Sequence, residues 1–206
     1  MHFKIDHPLL KQKLTVLRDK NTETKDFRAL ASEITMLIAY EALKNIELED
    51  ITVETPLTEF KGKQLKNDVI IVPILRAGVG MLEGILNLVP EAKVGFIGIY
   101  RDPETKKPVT YYEKMPENCK NPVTFIIDPM LATGGSIIAT IDILKKKKFN
   151  NIKVISIISS PEGLDAIEKV HNDIEIYTGN IDDHLDERKY IIPGLGDAGD
   201  RLFGTK

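Results

Sequence analysis

Between residues 69 and 158 the chain carries four short runs rich in β-branched residues: Val69–Val72, Val94–Tyr100, Val123–Ile127 and Val154–Ile158. They are apolar on both faces, the pattern of buried parallel strands. Between them lie stretches of helical character, Val79–Leu88, Ser136–Lys147 and Leu164–His171, and a weaker strand, Ile174–Tyr177, ends the series. Strand alternating with helix restricts the chain to an α/β fold: an open, mostly parallel twisted sheet with helices on both faces and right-handed crossovers. Such sheets bind ligands beyond the carboxyl ends of their strands. The residues that follow each run are therefore where chemistry is expected.

The 206 residues amount to about one domain. Residues 8–20 read as a helix, with Pro8 in its first turn and Leu10, Leu14 and Leu17 on one face. Residues 25–46 read as a longer helix with Thr24 as its cap and Phe27, Leu30, Ile34, Ile38 and Ala42 at helical spacing. These two helices can pack on the chain's own sheet or on a second subunit. A strand or hairpin follows over Ile51–Phe60, interrupted by Pro56. Residues 101–116, RDPETKKPVTYYEKMP, are too polar and proline-rich for a crossover helix and predict a projecting β-hairpin flap. The single domain 1–206 thus divides into an N-terminal helical arm and hairpin (1–61), an α/β core carrying the flap (62–180) and a C-terminal loop (181–206).

Composition removes several function classes. One cysteine, Cys119, excludes an internal disulfide framework and a cysteine-rich zinc site, and the four histidines show no metal-ligand spacing. The opening MHFKIDHPLLKQKL is charged throughout, so no secretory leader is expected, and the apolar runs are too short to span a bilayer. A net charge of −3 disfavours a dedicated nucleic-acid or anionic-membrane binder. A cytoplasmic location is the default. Lys145–Lys148 reads as a solvated helix C-terminus that complements the helix dipole. The 14 glycines are skewed: none precedes Gly62, and Gly194, Gly196, Gly199 and Gly204 crowd into the last thirteen residues. Glycine serves where backbone bends or closely approaches a ligand, so the skew predicts a loop-built functional region behind a helical front.

Three strand ends carry unusual residues. In IIDPMLATGGS (126–136) an apolar strand ends at Asp128, and small residues follow just as a helix begins. Successive N–H groups from Ala132 to Ser136, the Thr133 and Ser136 hydroxyls and the helix N-terminus form a phosphate cradle, with Asp128 placed to accept from sugar hydroxyls. It is not a Walker loop, because GxxxxGK[ST] is absent. In VPILRAGVG (72–80), Arg76 follows a buried strand and suits a bidentate oxyanion clamp. Gly78-x-Gly80-x-x-x-Gly84 with Asp102 is the rival here, a loose dinucleotide fingerprint whose acid directly follows Arg101. Tyr100–Arg101–Asp102 opens the flap, from which Arg101 can bring a second positive charge as the flap closes and excludes water. The tail YIIPGLGDAGDRLFGTK (190–206) contains a literal GxGxxG, but too little chain follows it for a βαβ unit. Its free backbone groups suit a flat polar ligand.

Taken together, ILRAG (74–78), YRD (100–102), DPMLATGGS (128–136) and YIIPGLGDAGDR (190–201) resemble the uracil phosphoribosyltransferases, in order over residues 70–206. DPMLATGGS marks the wider type I phosphoribosyltransferase fold, and the tail is specific to the uracil branch. The resemblance implies transfer of ribose 5-phosphate from phosphoribosyl pyrophosphate (PRPP) to N1 of uracil, giving UMP and diphosphate in pyrimidine salvage. It implies that Ala132, Thr133, Gly134, Gly135 and Ser136 hold the 5′-phosphate, while Asp128 with Pro129, Met130 and Leu131 holds the ribose. Arg76 and Arg101 would hold the diphosphate, with Mg²⁺ carried largely by that leaving group and no metal ligands supplied by the chain. Uracil is expected against Ile191 and Gly196, Asp197 and Ala198. Asp197 is also a candidate for the PRPP ribose or its metal and, equally, for a general base or an electrostatic role. A GTP effector and a homodimer or higher homo-oligomer are further expectations of the resemblance. Two positions before the tail depart from the family's usual Leu-Asn and Gly-Tyr: here they read Leu185–Asp186 and Lys189–Tyr190. An RNA-binding pyrimidine regulator on the same fold is the other reading, and the acidic balance and intact tail weigh against it.

Overall fold

The structure, a computed structural model, describes residues 1–101 and 108–205, the Arg101 side chain excepted. The elements run β1 (His2–Lys4), α1 (Pro8–Arg18), α2 (Thr24–Ala42), β2 (Leu48–Glu54), β3 (Glu59–Leu65), β4 (Val69–Leu75), α3 (Val79–Leu86), β5 (Lys93–Val94), β6 (Phe96–Arg101) and β7 (Pro108–Lys114). They continue β8 (Val123–Ile127), β9 (Met130–Leu131), α4 (Gly135–Lys146), β10 (Asn151–Ser159), α5 (Pro161–Val170), β11 (Glu175–Ile181), β12 (His184–Leu185), β13 (Ile191–Ile192) and α6 (Ala198–Phe203). The main sheet has the order β1-β11-β10-β8-β4-β6-β7, with β5 beside β4 and β9 beside β10. Every pairing in it is parallel except β6 with β7. The mostly parallel α/β sheet expected from the strand series is what forms.

The fully apolar strands feed two cores by simple alternation. Val69, Ile71, Val123, Phe125, Ile127, Ile155 and Ile157 face one side, where Leu10, Leu14 and Leu17 of α1, Phe27, Ile34 and Ile38 of α2, Met81 and Ile85 of α3 and Leu202 of α6 cover them. Ile70, Val72, Ile74, Ile126 and Val154 face the other side, beneath Ile137, Ile141 and Leu144 of α4 and Leu164 and Ile167 of α5. Successive strand side chains point to opposite faces, so a strand buried on both reads as a near-continuous apolar run, with buried polar residues such as Thr124 in β8 and Ser156 in β10 as the exceptions. The N-terminal helices therefore pack on the chain's own sheet.

The differences from expectation are local. Helix α2 ends at Ala42 rather than near residue 46, because Lys44 and Ile46 N–H groups turn back to the Glu41 and Leu43 carbonyls in tighter three-residue bonds. Thr24 is its first residue, Glu23 occupies the cap, and no side-chain cap bond forms. The hairpin is β2 with β3, and Pro56 lies in its turn, where Thr55 Oγ1 accepts from the Leu57 and Thr58 N–H groups. β3 runs on to Leu65, beyond the 61/62 division. β1, a short polar exposed edge strand beside β11, carries no apolar signal and was not expected from the sequence. The flap is seen as β6 paired with β7; residues 102–107 of the expected 101–116 lie outside the described residues. Among the described residues no helix is long and apolar enough to cross a membrane.

Candidate active site

The loop after β8 is fastened to its neighbour β10 before it reaches the helix. The Pro129 carbonyl accepts from the Ile157 and Ile158 N–H groups at 3.2 and 3.1 Å, and β9 pairs Met130 with Ile158 and Leu131 with Ser159. The Leu131 side chain is buried in one core and Met130 packs against the opposite one. Ser160 Oγ donates to the Ala132 carbonyl at 2.6 Å, which turns that carbonyl toward α5. Gly134 then takes φ +76°, a left-handed conformation, and a Cβ there would lie 2.9 Å from the Gly163 carbonyl oxygen. This sharp turn aims the start of α4 back at the strand tip.

No side chain caps α4. The first N–H that turns inward is that of Ile138, donating to the Gly134 carbonyl at 2.9 Å. Those of Gly135, Ser136 and Ile137 precede it and have no acceptor within the helix. With the positive end of the helix dipole they form an anion-binding mouth. Asp128 and residues 130–137 line a concavity of about 80 Å³, and the Thr133 side chain is exposed at its rim. That is room for an oxyanion of a few heavy atoms, since one water needs about 10–15 Å³ on the same measure.

Asp128 stands at the tip of β8, partly buried. Among the described residues its carboxylate receives one weak bond, from the Met130 N–H at 3.4 Å. Loss of surrounding water pushes its pKa up to about 7, and the Met130 N–H only partly offsets this. A carboxylate so short of donors is ready to accept from sugar hydroxyls.

Arg76 directly follows β4, the strand next to β8. The turn it opens lies hard against the end of β8: a Cβ on Gly78 would sit 2.5 Å from the Ile127 carbonyl oxygen. The Arg76 side chain is 60% exposed, with Nη2 3.8 Å from Asp200 Oδ1 and the guanidinium 6.0 Å from the centre of the Phe203 ring. It is thus solvated and aimed at α6. The Arg101 backbone ends β6, beside β4; its side chain lies outside the described residues.

The tail completes the arrangement. Asp197 caps α6, its Oδ1 accepting the Asp200 N–H at 2.9 Å. Leu202 packs over Gly80 and docks α6 on the start of α3. Gly196 is exposed with φ +78° and only the Arg201 Cδ near a Cβ position. Ala198 is buried, and the Ile191 side chain packs into the core. The structure therefore brings together Arg76, the 128–136 loop and the Ile191–Ala198 tail around the carboxyl ends of β4 and β8.

The sequence reading missed four groups that hold this candidate site: Ser160 behind the 128–136 loop, Asp200 beside Arg76, and the pair Arg18 and Asp182 behind the tail. An acid three residues after a capping Asp197 is a legible helix-start pattern and points to Asp200. No local signal joins Arg18 to Asp182. Among the described residues no group of three or more His, Cys, Asp or Glu side chains converges on a point.

The profile of the uracil phosphoribosyltransferase family matches residues 4–205. The chain belongs to that family. It is 58% identical over 203 residues to the uracil phosphoribosyltransferase of Dictyoglomus turgidum, covering 98% of each chain. It is 53% identical over 203 residues to that of Agathobacter rectalis, covering 98% of this chain and 97% of the relative. The solved structure of the AQ2163 protein from Aquifex aeolicus superimposes with a TM-score of 0.92 at 42% identity, over 100% of this chain and 99% of that one. The mostly parallel sheet with helices on both faces is shared with that solved structure. The family match leaves the loose dinucleotide pattern at 78–84 without a role.

Proposed function

We propose that this pentosyltransferase, which makes UMP and diphosphate from uracil and PRPP in pyrimidine salvage, does so by holding the two substrates on two separate backbone surfaces. The observation that carries this assignment is the meeting of the uncapped α4 loop, Arg76 and the tail at one end of β4 and β8. The Ala132–Ser136 N–H groups take the 5′-phosphate, and Asp128 with the Pro129–Leu131 backbone takes the ribose. Arg76 and Arg101 take the diphosphate. Uracil lies against the backbone of Ile191 and Gly196–Ala198. Mg²⁺ rides on the diphosphate and, when bound, neutralises the charge of the leaving group.

Departure of diphosphate leaves cationic character on the sugar carbon. The chain's part is then positioning and charge stabilisation. Asp128 and Asp197 supply negative charge near the sugar, and the two arginines balance the departing oxygens. Asp197, already tied as a helix cap, suits an electrostatic role better than a freely moving base. Backbone reading explains the choice of base. A carbonyl facing uracil N3–H meets an unprotonated nitrogen in cytosine, and an N–H facing O4 meets an amino group. Leaving such groups unpaired gives discrimination on the order of 10⁴ or more.

The same reading includes a homodimer or higher oligomer, a GTP effector and a cytoplasmic setting in which Cys119 stays reduced. The β2–β3 hairpin supports the oligomer: Leu48, Val53, Leu57 and Phe60 are exposed on it, and a two-stranded hairpin is marginal alone. Sedimentation gives the oligomeric state, and turnover with and without GTP tests the effector. The decisive assay offers PRPP and Mg²⁺ with a panel of bases. Uracil is expected to release diphosphate and form UMP; turnover with another base but none with uracil overturns the reading. Arg76→Ala is expected to lower PRPP-dependent turnover at least tenfold without loss of fold, and unchanged kinetics would remove the clamp role.

A further inference from the structure

The tail that faces the base is held from behind by a buried ion pair drawn from distant parts of the chain. Asp182, just beyond β11, has a side chain with no exposed surface, while that of Arg18, the last residue of α1, is 22% exposed. Arg18 donates twice to the carboxylate, Nη1 to Oδ2 at 2.7 Å and Nη2 to Oδ1 at 2.5 Å. Asn180 Nδ2 donates to Oδ1 at 2.6 Å. The fourth donor is the Gly194 N–H, to Oδ2 at 2.9 Å, and Arg18 Nη1 also donates to the Gly194 carbonyl at 2.6 Å. One acid and one base therefore grip both backbone groups of a single tail residue. Burial works to raise the Asp182 pKa, but Arg18, Asn180 and the Gly194 N–H outweigh it and hold the carboxyl below its ordinary value.

Gly194 suits this grip. Its φ is +63°, and a Cβ would fall 2.1 Å from the Ile191 carbonyl oxygen, so the chain doubles back tightly there. One residue on, Arg201 Nη1 takes the Leu195 carbonyl at 2.8 Å, while Nη2 reaches the Asp19 carbonyl at 2.5 Å, next to Arg18. The two residues before Gly196 are thus pinned to the end of α1 and to the sheet, where the Asp182 N–H itself donates to the Ser159 carbonyl at 2.8 Å.

We propose that Arg18 and Asp182 are positioning residues for base recognition: they set the place of the Gly196–Ala198 backbone that reads uracil without touching either substrate. The inference rests on the tail being the uracil subsite. Backbone groups cannot be re-aimed by side-chain rotation, so their selectivity depends on how well the loop is held, and a small misplacement is costly. A planar guanidinium can serve a carboxylate and a carbonyl together, whereas a lysine ammonium acts as a point charge.

Steady-state kinetics on three single variants of the full chain test this. Asp182→Asn keeps an acceptor for the Gly194 N–H but removes the charge, and it is expected to raise the KM for uracil tenfold or more with the KM for PRPP within twofold. Arg18→Lys is expected to show the same one-sided change at smaller size, and it carries the test alone if Asp182→Asn does not fold. Gly196→Ala, in the tail itself, is expected to raise the uracil KM. If Gly196→Ala raises it but neither pair variant does, or if a pair variant raises both KM values equally, the positioning role is overturned and the tail reading stands. If Gly196→Ala changes only the PRPP KM, the tail reading falls and the positioning role with it.

Discussion

The loop at 128–136 and the tail at 190–203 both offer backbone to a ligand, and they are held in place by different means. The loop follows a central strand, is zipped to β10 through Pro129, Met130 and Leu131, and is closed by the N-terminus of its own helix. Ser160, at the end of the strand it already touches, adds a side-chain bond from behind. The tail hangs from the two-residue strands β12 and β13 and is kept in place by Arg18 and Asp182, which are 164 positions apart in sequence, and by Arg201. A site of the first kind carries its shape within one motif. A site of the second kind borrows it from the rest of the fold, which makes its geometry open to distant substitution.

The largest expected effect breaks the loop. Gly134→Ala puts a side chain at φ +76° and 2.9 Å from the Gly163 carbonyl oxygen, so the mouth of α4 cannot keep its shape. Activity is expected to fall at least about a hundredfold, a loss of roughly 3 kcal/mol in the transition state. Kinetics together with a melting curve check this, and near-normal turnover would mean the left-handed turn is dispensable.

Next in size is Asp197, a helix cap to which the proposed function also gives an electrostatic role. Asn is as good a helix cap as Asp, so Asp197→Asn is expected to leave the melting temperature within about 2 °C. Turnover should drop tenfold or more. Equal loss of stability and activity would make the residue structural only.

Asp128 sharpens the comparison through pH. Its folded pKa, about 7, lies above the unfolded carboxyl value. The native state therefore binds more protons than the unfolded chain between pH 4 and 7, and stability falls as pH rises through that window. Asp128→Asn is expected to be more stable than the parent at pH 8 and to lose that advantage below pH 4. Discounting the shift for partial exposure leaves about 2 kcal/mol, a melting difference of roughly 4–8 °C. In the parent enzyme kcat/KM for PRPP should climb with pH through about 7 as the carboxylate forms. A flat profile, or a variant of equal stability at both pH values, would contradict the environment assigned to this acid.

The smallest effect lies under the tail. Lys189 occupies φ +70° in the turn between β12 and β13, a conformation that costs a side-chain-bearing residue about 1 kcal/mol. Lys189→Gly is expected to raise the melting temperature by about 2–4 °C with kinetics unchanged. A fall in stability would show that the lysine is held there by contacts that outweigh the strain.

Legibility followed the same division. The strand series around Val69–Val72 and Val123–Ile127 declared the parallel sheet because burial on both faces leaves no other pattern. The loop at 128–136 could be read as a candidate anion site because Asp128, the small residues and the start of α4 are consecutive. Pro56 marked the hairpin turn. The brace of the tail could not be read, since Arg18 looks like any helix-ending arginine and Asp182 like any loop acid until the fold brings them within 2.5 Å. The edge strand β1 escaped because an edge, paired on one side only, needs little apolar patterning. Lys189, by contrast, was visible as a departure from the Gly-Tyr that the resemblance led one to expect, and its left-handed backbone supplies the reason glycine suits that turn.

The most direct test of two separately held backbone surfaces is a structure of the chain with UMP bound. The account predicts the phosphate within hydrogen-bond distance of the Thr133–Ser136 N–H groups and the pyrimidine edge against the backbone of Ile191 and Gly196–Ala198, with Arg18 and Asp182 still gripping Gly194. A pyrimidine lodged away from the tail, or a phosphate outside the α4 mouth, would contradict it.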